Sequence, residues 1–314
     1  MKTITQAFRT SLVFMLIFYC VGAYAQRKEV SYFCDSVDVC PLADKELIDS
    51  CYNLLDRNMM LETDGIYGQI AVIDATTSEV LAWASLEKQL DGDCGWCGDM
   101  VYVPFKKQVC SSDVFVPFIA AKCLEKSNTS LGKIVDTGCG ILEINDSLKI
   151  RDHNWRRGGY GKVTFEKALL MKSRIGMYKA FMTMPNGTYL WEQAYDTIQK
   201  SNAIELAISF NQMYHQRSSL EYVKKIATGI FENTGIQHRL APRGIKLAGI
   251  YNILQCDDNK RSSDEFTFIG CFPADNPKYT ISMVVVRPHK LPATIGMLSK
   301  EVNLLIEWLM TRKK

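Results

Sequence analysis

The stretch Val109-Cys-Ser-Ser-Asp113-Val-Phe-Val116-Pro-Phe-Ile-Ala-Ala-Lys-Cys-Leu-Glu125 organises the rest of this 314-residue chain. It reads as a short loop running into a helix, because Phe115, Phe118, Ile119 and Leu124 recur at helical spacing. Ser112 or Asp113 is the expected N-cap. Upstream, Gly68-Gln-Ile-Ala-Val-Ile-Asp74-Ala-Thr-Thr-Ser78-Glu-Val-Leu-Ala-Trp-Ala84 places two apolar runs of strand length around a short polar turn, which predicts a β-hairpin. Before it, Leu42, Leu47, Ile48, Cys51, Leu54 and Leu55 are spaced for one buried helical face between Pro41 and about Met60. Downstream, helical segments are expected over 206–214 and 220–231 and a closing helix over 300–310.

The first 25 residues have a different character. Lys2 and Arg9 precede an almost wholly apolar run from Leu12 to Tyr19, and Ala23-Tyr24-Ala25 supplies a small-residue cleavage pattern, so residues 1–25 read as a secretory signal peptide. The run is short for a bilayer span, which favours cleavage over a retained anchor. Its removal leaves 35 basic against 34 acidic side chains. A nearly neutral surface argues against nucleic acid as a partner. The mature chain keeps ten cysteines, an even number that permits disulfides in an exported protein. Cys94-Gly-Trp-Cys97 sits among turn residues rather than between a strand and a helix, so a local disulfide or free thiols suit it better than a redox dithiol. No second Cys pair or His pair completes a metal site, and no cofactor is implied.

The run Asp113-Val-Phe-Val116-Pro-Phe-Ile-Ala-Ala resembles the helix that carries the active serine in penicillin-binding protein transpeptidases, the DD-transpeptidase and serine β-lactamase-like group. There the pattern is Ser-x-x-Lys, usually followed by Pro-Phe. Aligning Pro117-Phe118 on that pair puts Asp113 at the serine and Val116 at the lysine. Other segments resemble the family in the same order. Leu81-Ala-Trp-Ala-Ser85 matches its first hairpin, with Ser78 in place of a glycine, and Val135-Asp-Thr-Gly and Ile150-Arg-Asp152-His-Asn-Trp155 match the stretch before its second motif. Gly161-Lys-Val-Thr-Phe-Glu-Lys-Ala168-Leu-Leu-Met follows that motif's approach, but its Ser-x-Asn has become Lys172-Ser173-Arg174. Gly249 keeps its place before the third motif, where Lys-Thr-Gly-Thr has become Ile250-Tyr251-Asn252-Ile253, and residues 266–273 and 277–288 resemble the family's last two strands.

The resemblance covers about residues 42–312 and implies a single transpeptidase-like domain over 26–314. The implied fold is mixed α/β (α+β), with a central, mainly antiparallel sheet, helices on both faces and a helical subdomain. Acylation in that family needs a serine activated by a lysine and donors facing the oxyanion. Val116 accepts no proton, and such groups work as a unit. The resemblance therefore implies an exported periplasmic or cell-envelope pseudoenzyme, without catalytic residues, that binds cell-wall peptide or scaffolds envelope proteins. The alternative is an active peptidoglycan transpeptidase or carboxypeptidase with non-standard residues that still binds penicillin.

Asp113 is expected to pair with Lys172 and Arg174 across the old cleft, with Ile250 and Tyr251 partly filling the space opposite. The other arrangement is an open cationic cleft, in which Lys172 and Arg174 hold a carboxylate-bearing ligand. Asp113, Lys172, Arg174 and Tyr251 are thus the candidate ligand contacts. Each of the four histidines, His153, His215, His238 and His289, reads as a surface or capping residue rather than a base.

Overall fold

Apolar periodicity near both ends of the domain builds one sheet. The computed structural model describes residues 44–89, 100–103, 109–110, 112–145, 149–195, 200–215, 221–232, 234–258 and 261–312. In chain order, α1 (Lys45–Arg57) runs into a π-helical turn (Asn58–Thr63), then β1 (Tyr67–Asp74), β2 (Val80–Lys88) and β3 (Met100–Tyr102). β4 (Val109–Cys110) and a 3-10 turn (Ser112–Phe115) lead into α2 (Val116–Lys126). Short strands β5 (Ile134–Asp136), β6 (Ile141–Glu143), β7 (Lys149–Arg151) and β8 (Lys162–Thr164) precede α3 (Phe165–Leu170), α4 (Arg174–Phe181) and α5 (Gly187–Tyr195). β9 (Lys200–Ser201), α6 (Ala203–His215) and α7 (Glu221–Gly229) follow, then β10 (Ala248–Asp258), β11 (Arg261–Phe272), β12 (Tyr279–Pro288) and α8 (Ser299–Thr311). The signal-peptide reading of residues 1–25 and the Cys94–Cys97 pair lie outside the described residues.

Six antiparallel strands form the central sheet, in the order β10–β11–β12–β1–β2–β3. The hairpin expected around Ser78 supplies its fourth and fifth strands, with Ile70 opposite both Ala84 and Met283. In the turn, Asp74 Oδ1 accepts the Thr76 and Thr77 N–H groups at 2.8 and 3.1 Å. Ser78 adopts φ +62°, a left-handed conformation that glycine takes without strain. Its hydroxyl is held at 2.8 Å by Asn211 Nδ2, which also reaches Ala75 O at 2.9 Å.

Alternating side chains give the sheet two covered faces. On one, Ile70 and Val72 meet α1, whose Leu47, Leu55 and neighbouring Met59 are nearly inaccessible. Approach here is so close that a Cβ on Gly68 would stand 2.7 Å from Met59 Sδ and 2.8 Å from Leu55 Cδ1. On the other face, buried polar groups dock α6: Gln69 Oε1 accepts Ala203 N–H at 3.0 Å, Ser282 donates to Ala203 O, and Thr280 Oγ1 reaches Asn211 Oδ1 at 2.8 Å. Buried polar groups are tolerated here because each has its partner.

Residues 42–314 make one compact unit, with the helices between the hairpins as its second layer. Phe118 on α2 meets Phe210 on α6 edge to face, at 5.6 Å between ring centres. Both are fully buried, and each such side chain contributes roughly 1.5–3 kcal/mol through lost apolar hydration. Trp191 stands edge-on to Phe181 and Tyr178, fastening α5 to α4.

Two local expectations change. The first helix starts at Lys45 under an Asp44 cap, whose Oδ1 accepts Leu47 N–H at 3.2 Å, and it ends in a π turn. Neither Ser112 nor Asp113 is the N-cap of α2: both lie in the 3-10 turn, and Phe115 precedes the helix with no side-chain cap. Pro117 in the first turn has no N–H to satisfy, which lessens the need for one.

Candidate functional site

The segments compared with the family's three motifs lie where α2, the α3–α4 turn and β10 come together. At the first, Val116 opens α2 and is 1% exposed, so its side chain belongs to the core rather than to the cleft. Asp113 is described through its backbone alone, within the 3-10 turn, so its expected ion pair with Lys172 and Arg174 lies outside the described residues.

Lys172 occupies the α3–α4 turn at φ +53°, a conformation that costs a non-glycine residue roughly 1–2 kcal/mol. Its ammonium donates to Asn252 Oδ1 at 2.7 Å and to Tyr251 O at 3.3 Å, across 80 and 79 residues of sequence. The second and third motifs are thus tied to each other, by a cation from the turn and a neutral amide from the strand. Arg174, exposed, begins α4.

The turn is held from below by a buried carboxylate. Asp152 is inaccessible, and its two oxygens lie 3.0 and 2.9 Å from Ser173 Oγ, which donates to it. Ser173 Oγ in turn accepts Gly176 N–H at 2.9 Å as the N-cap of α4, while Asp152 Oδ1 accepts Ile175 N–H at 3.1 Å. A carboxylate at a helix N-terminus also gains from the positive end of the helix dipole. Ser173, at the middle position of the segment compared with the second motif, therefore caps a helix. Its residue type before a helix was a legible signal; the role of Asp152, 21 residues away, was not.

Along β10 alternate residues face opposite ways. Asn252 turns toward Lys172, and Ile250, fully buried, shares its face at the position aligned with the family's lysine. Tyr251 points to the other face, which corrects its sequence-based placement opposite Asp113. Its ring packs on Phe268, its cross-strand partner, at 4.5 Å and on Phe231 at 5.9 Å. It is fully buried, and burial drives the pKa of its phenol well up, so it offers the cleft no ring. What Tyr251 offers is backbone, and Gln237 takes it: Gln237 Oε1 accepts Tyr251 N–H at 2.7 Å and Gln237 Nε2 donates to Tyr251 O at 2.6 Å. A primary amide thereby stands in for a neighbouring strand at one point of the outer edge of β10. Nothing in the sequence singled out Gln237.

Beside the turn, His153 Nε2 and Tyr160 Oη are 2.8 Å apart, and Tyr160 Oη donates to Met171 O at 3.4 Å. The surrounding protein lowers the pKa of His153; nearby Asp152 opposes this, and the charges of Lys172 and Arg157 reinforce it. Burial raises Tyr160 to about 12. At neutral pH the pair is an uncharged donor–acceptor unit.

Two other histidines serve the scaffold: His238 Nδ1 lies 3.0 Å from Gly235 O, and His289 bonds Asp264. Cys51 and Cys271 are buried free thiols, both pushed up by burial, and Cys139 is an exposed one. Among the described residues no His, Cys, Asp and Glu cluster could hold a metal ion, and no helix is long and apolar enough to cross a membrane. Cavities of about 580 and 440 Å³ lie along α7, share Thr228 and Glu232, and include neither Lys172 nor Asn252.

No family model and no curated protein matches the sequence. Solved structures do match. A peptidoglycan glycosyltransferase from Burkholderia ambifaria aligns at 16% identity over 87% of this chain and 98% of its own, with a TM-score of 0.65. The TP domain of Burkholderia pseudomallei penicillin-binding protein 3 aligns at 17% over 88% and 98%, also at 0.65. Penicillin-binding protein 2B of Streptococcus pneumoniae aligns at 10% over 87% of this chain and 60% of its own, at 0.67. The fold of this chain is that of penicillin-binding protein transpeptidase domains.

Proposed function

We propose that this chain is an exported, catalytically silent protein of transpeptidase fold that binds an extended cell-wall peptide in the cell envelope. One observation carries the reading. Where covalent catalysis needs a base beside a nucleophile and a cation on the strand opposite, Val116 and Ile250 are buried hydrocarbon, and the amine of Lys172 is engaged by Asn252 Oδ1 and Tyr251 O. An amine so held is a poor general base, and Asn252 is not a nucleophile.

Binding remains available. Among the described residues β10 is the terminal strand of the sheet, and Gln237 saturates its outward groups at Tyr251 only. From Ile253 outward an extended peptide can add as a further strand, through main-chain hydrogen bonds. The Lys172–Asn252 bridge lies at the inner end of that edge. The Lys2-to-Ala25 pattern supports export.

Intact-mass spectrometry of the mature protein after incubation with a reactive penicillin tests the catalytic half of this reading. The expected spectrum shows no adduct. A stoichiometric acyl adduct would overturn it, and peptide mapping would name the nucleophile.

A further inference from the structure

Charge on this chain is distributed very unevenly. Residues 149–179 hold nine lysines and arginines against Asp152 and Glu166, a net of +7, whereas the whole chain carries +3. Both carboxylates are engaged, Asp152 by Ser173 and the N-terminus of α4, and Glu166 by Lys225 at 2.9 Å. Among the described residues no carboxylate pairs with Arg151, Arg156, Arg157 or Lys162, and all four are exposed.

These cations stand on a rigid loop. Gly161 N–H donates to Gly138 O at 3.0 Å and Thr137 N–H to Gly161 O at 2.8 Å, tying the loop to the β5–β6 connection. Gly159 is packed so tightly that a Cβ there would lie 2.3 Å from Gly140 N. Trp155 stands at the centre, with the guanidinium carbons of Arg151 and Arg156 at 5.4 and 5.2 Å from its ring centre. Ordered guanidinium groups lose little freedom on binding an oxyanion and can hold it with two hydrogen bonds.

We propose that this loop is a docking surface for an acidic polysaccharide. The proposal is independent of whether a peptide occupies β10. Arg151, Arg156, Arg157 and Lys162 are spread along the chain from β7 to β8, with Arg151 and Arg156 sharing the Trp155 ring. Such a row matches a chain that repeats its negative charge, and Trp155 between the guanidinium groups offers apolar surface for what joins those charges. A basic stripe of this kind concentrates polyanions and does so in a salt-dependent way.

The full mature chain, titrated into fluorescently labelled polygalacturonate (one carboxylate per sugar), provides the test by anisotropy. Binding is expected at low salt, with none to neutral dextran, and it should weaken roughly tenfold or more between about 0.05 and about 0.2 M salt. The double variant Arg157→Gln/Lys162→Gln removes two exposed charges without touching the core and should lose about tenfold in affinity. Absence of binding, equal binding to dextran, or an unchanged affinity in the folded double variant would overturn the proposal. Tighter binding to phosphatidylglycerol vesicles than to polygalacturonate, lost in the same variant, would overturn it in favour of a membrane surface.

Discussion

At the outer ends of β11 and β12, Asp264 and Arg287 are both almost inaccessible; in the cleft, Lys172 is half-buried and bonded to neutral oxygens. The buried pair is closed on itself. Arg287 Nε and Nη2 both lie 3.1 Å from Asp264 Oδ2, and its remaining donors reach Thr63 O, Lys290 O and Pro292 O. Its guanidinium carbon sits 4.9 Å from the centre of Phe266, and His289 takes the other oxygen of Asp264. Charge buried in this way must be matched and hydrogen-bonded, because water cannot reach it. The cationic loop beside Lys172 is the reverse, with charge in excess and exposed. The contrast separates charge that holds the fold from charge available to a partner, and it can be pressed experimentally.

The largest effect is expected from Arg287→Ala, which strands the Asp264 carboxylate and three backbone carbonyls. Urea unfolding should show a loss of about 3–5 kcal/mol. A change below about 1 kcal/mol would mean that the network is replaceable by water and that the contrast fails.

Acid offers a second, smaller probe. Burial alone would push the Asp264 carboxyl up, but hydrogen bonds from His289, Lys290 N–H and Arg287 outweigh it and hold the group below its usual range. A depressed carboxylate contributes stability that is complete above its unfolded pKa, about 3.9, and is lost as pH falls through the folded value. Urea midpoints of the parent chain should therefore fall more steeply below about pH 4 than those of Asp264→Asn. Parallel curves would remove Asp264 from the acid response.

Smallest is the cleft. Lys172→Ala forfeits two hydrogen bonds at a site where water can replace the amine, a loss of about 1 kcal/mol. Lys172→Gly should be the more stable of the two variants by about 1 kcal/mol, because φ +53° suits glycine. Equal stabilities would show that the turn relaxes when the lysine is removed.

The framework was legible because it rests on local periodicity. The hairpin around Ser78 and the helix that closes the chain appear as alternation or helical spacing over short stretches, whereas the strands ending at Phe272 and Pro288 were expected from the resemblance. Boundaries were less so, as at α2, where a 3-10 turn takes residues expected to cap the helix. The candidate site was legible only as a set of positions. Lys172 and Asn252 could be named, yet their bond could not, and Tyr251 was assigned to the wrong face until the β10–β11 register placed it opposite Phe268.

By itself, then, the sequence determined the hairpin around Ser78 and the helix that closes the chain, and it named Asp113, Lys172 and Asn252 as positions to compare with the family's motifs. A backbone's periodic burial is written along the chain. Only the tertiary structure decided what these side chains do: that Lys172 reaches Asn252, that Ser173 caps a helix over a buried Asp152, and that Gln237 closes part of the edge of β10. Those partners lie 80, 21 and 14 residues apart, at separations where no spacing rule operates and only sheet register and helix packing bring side chains together.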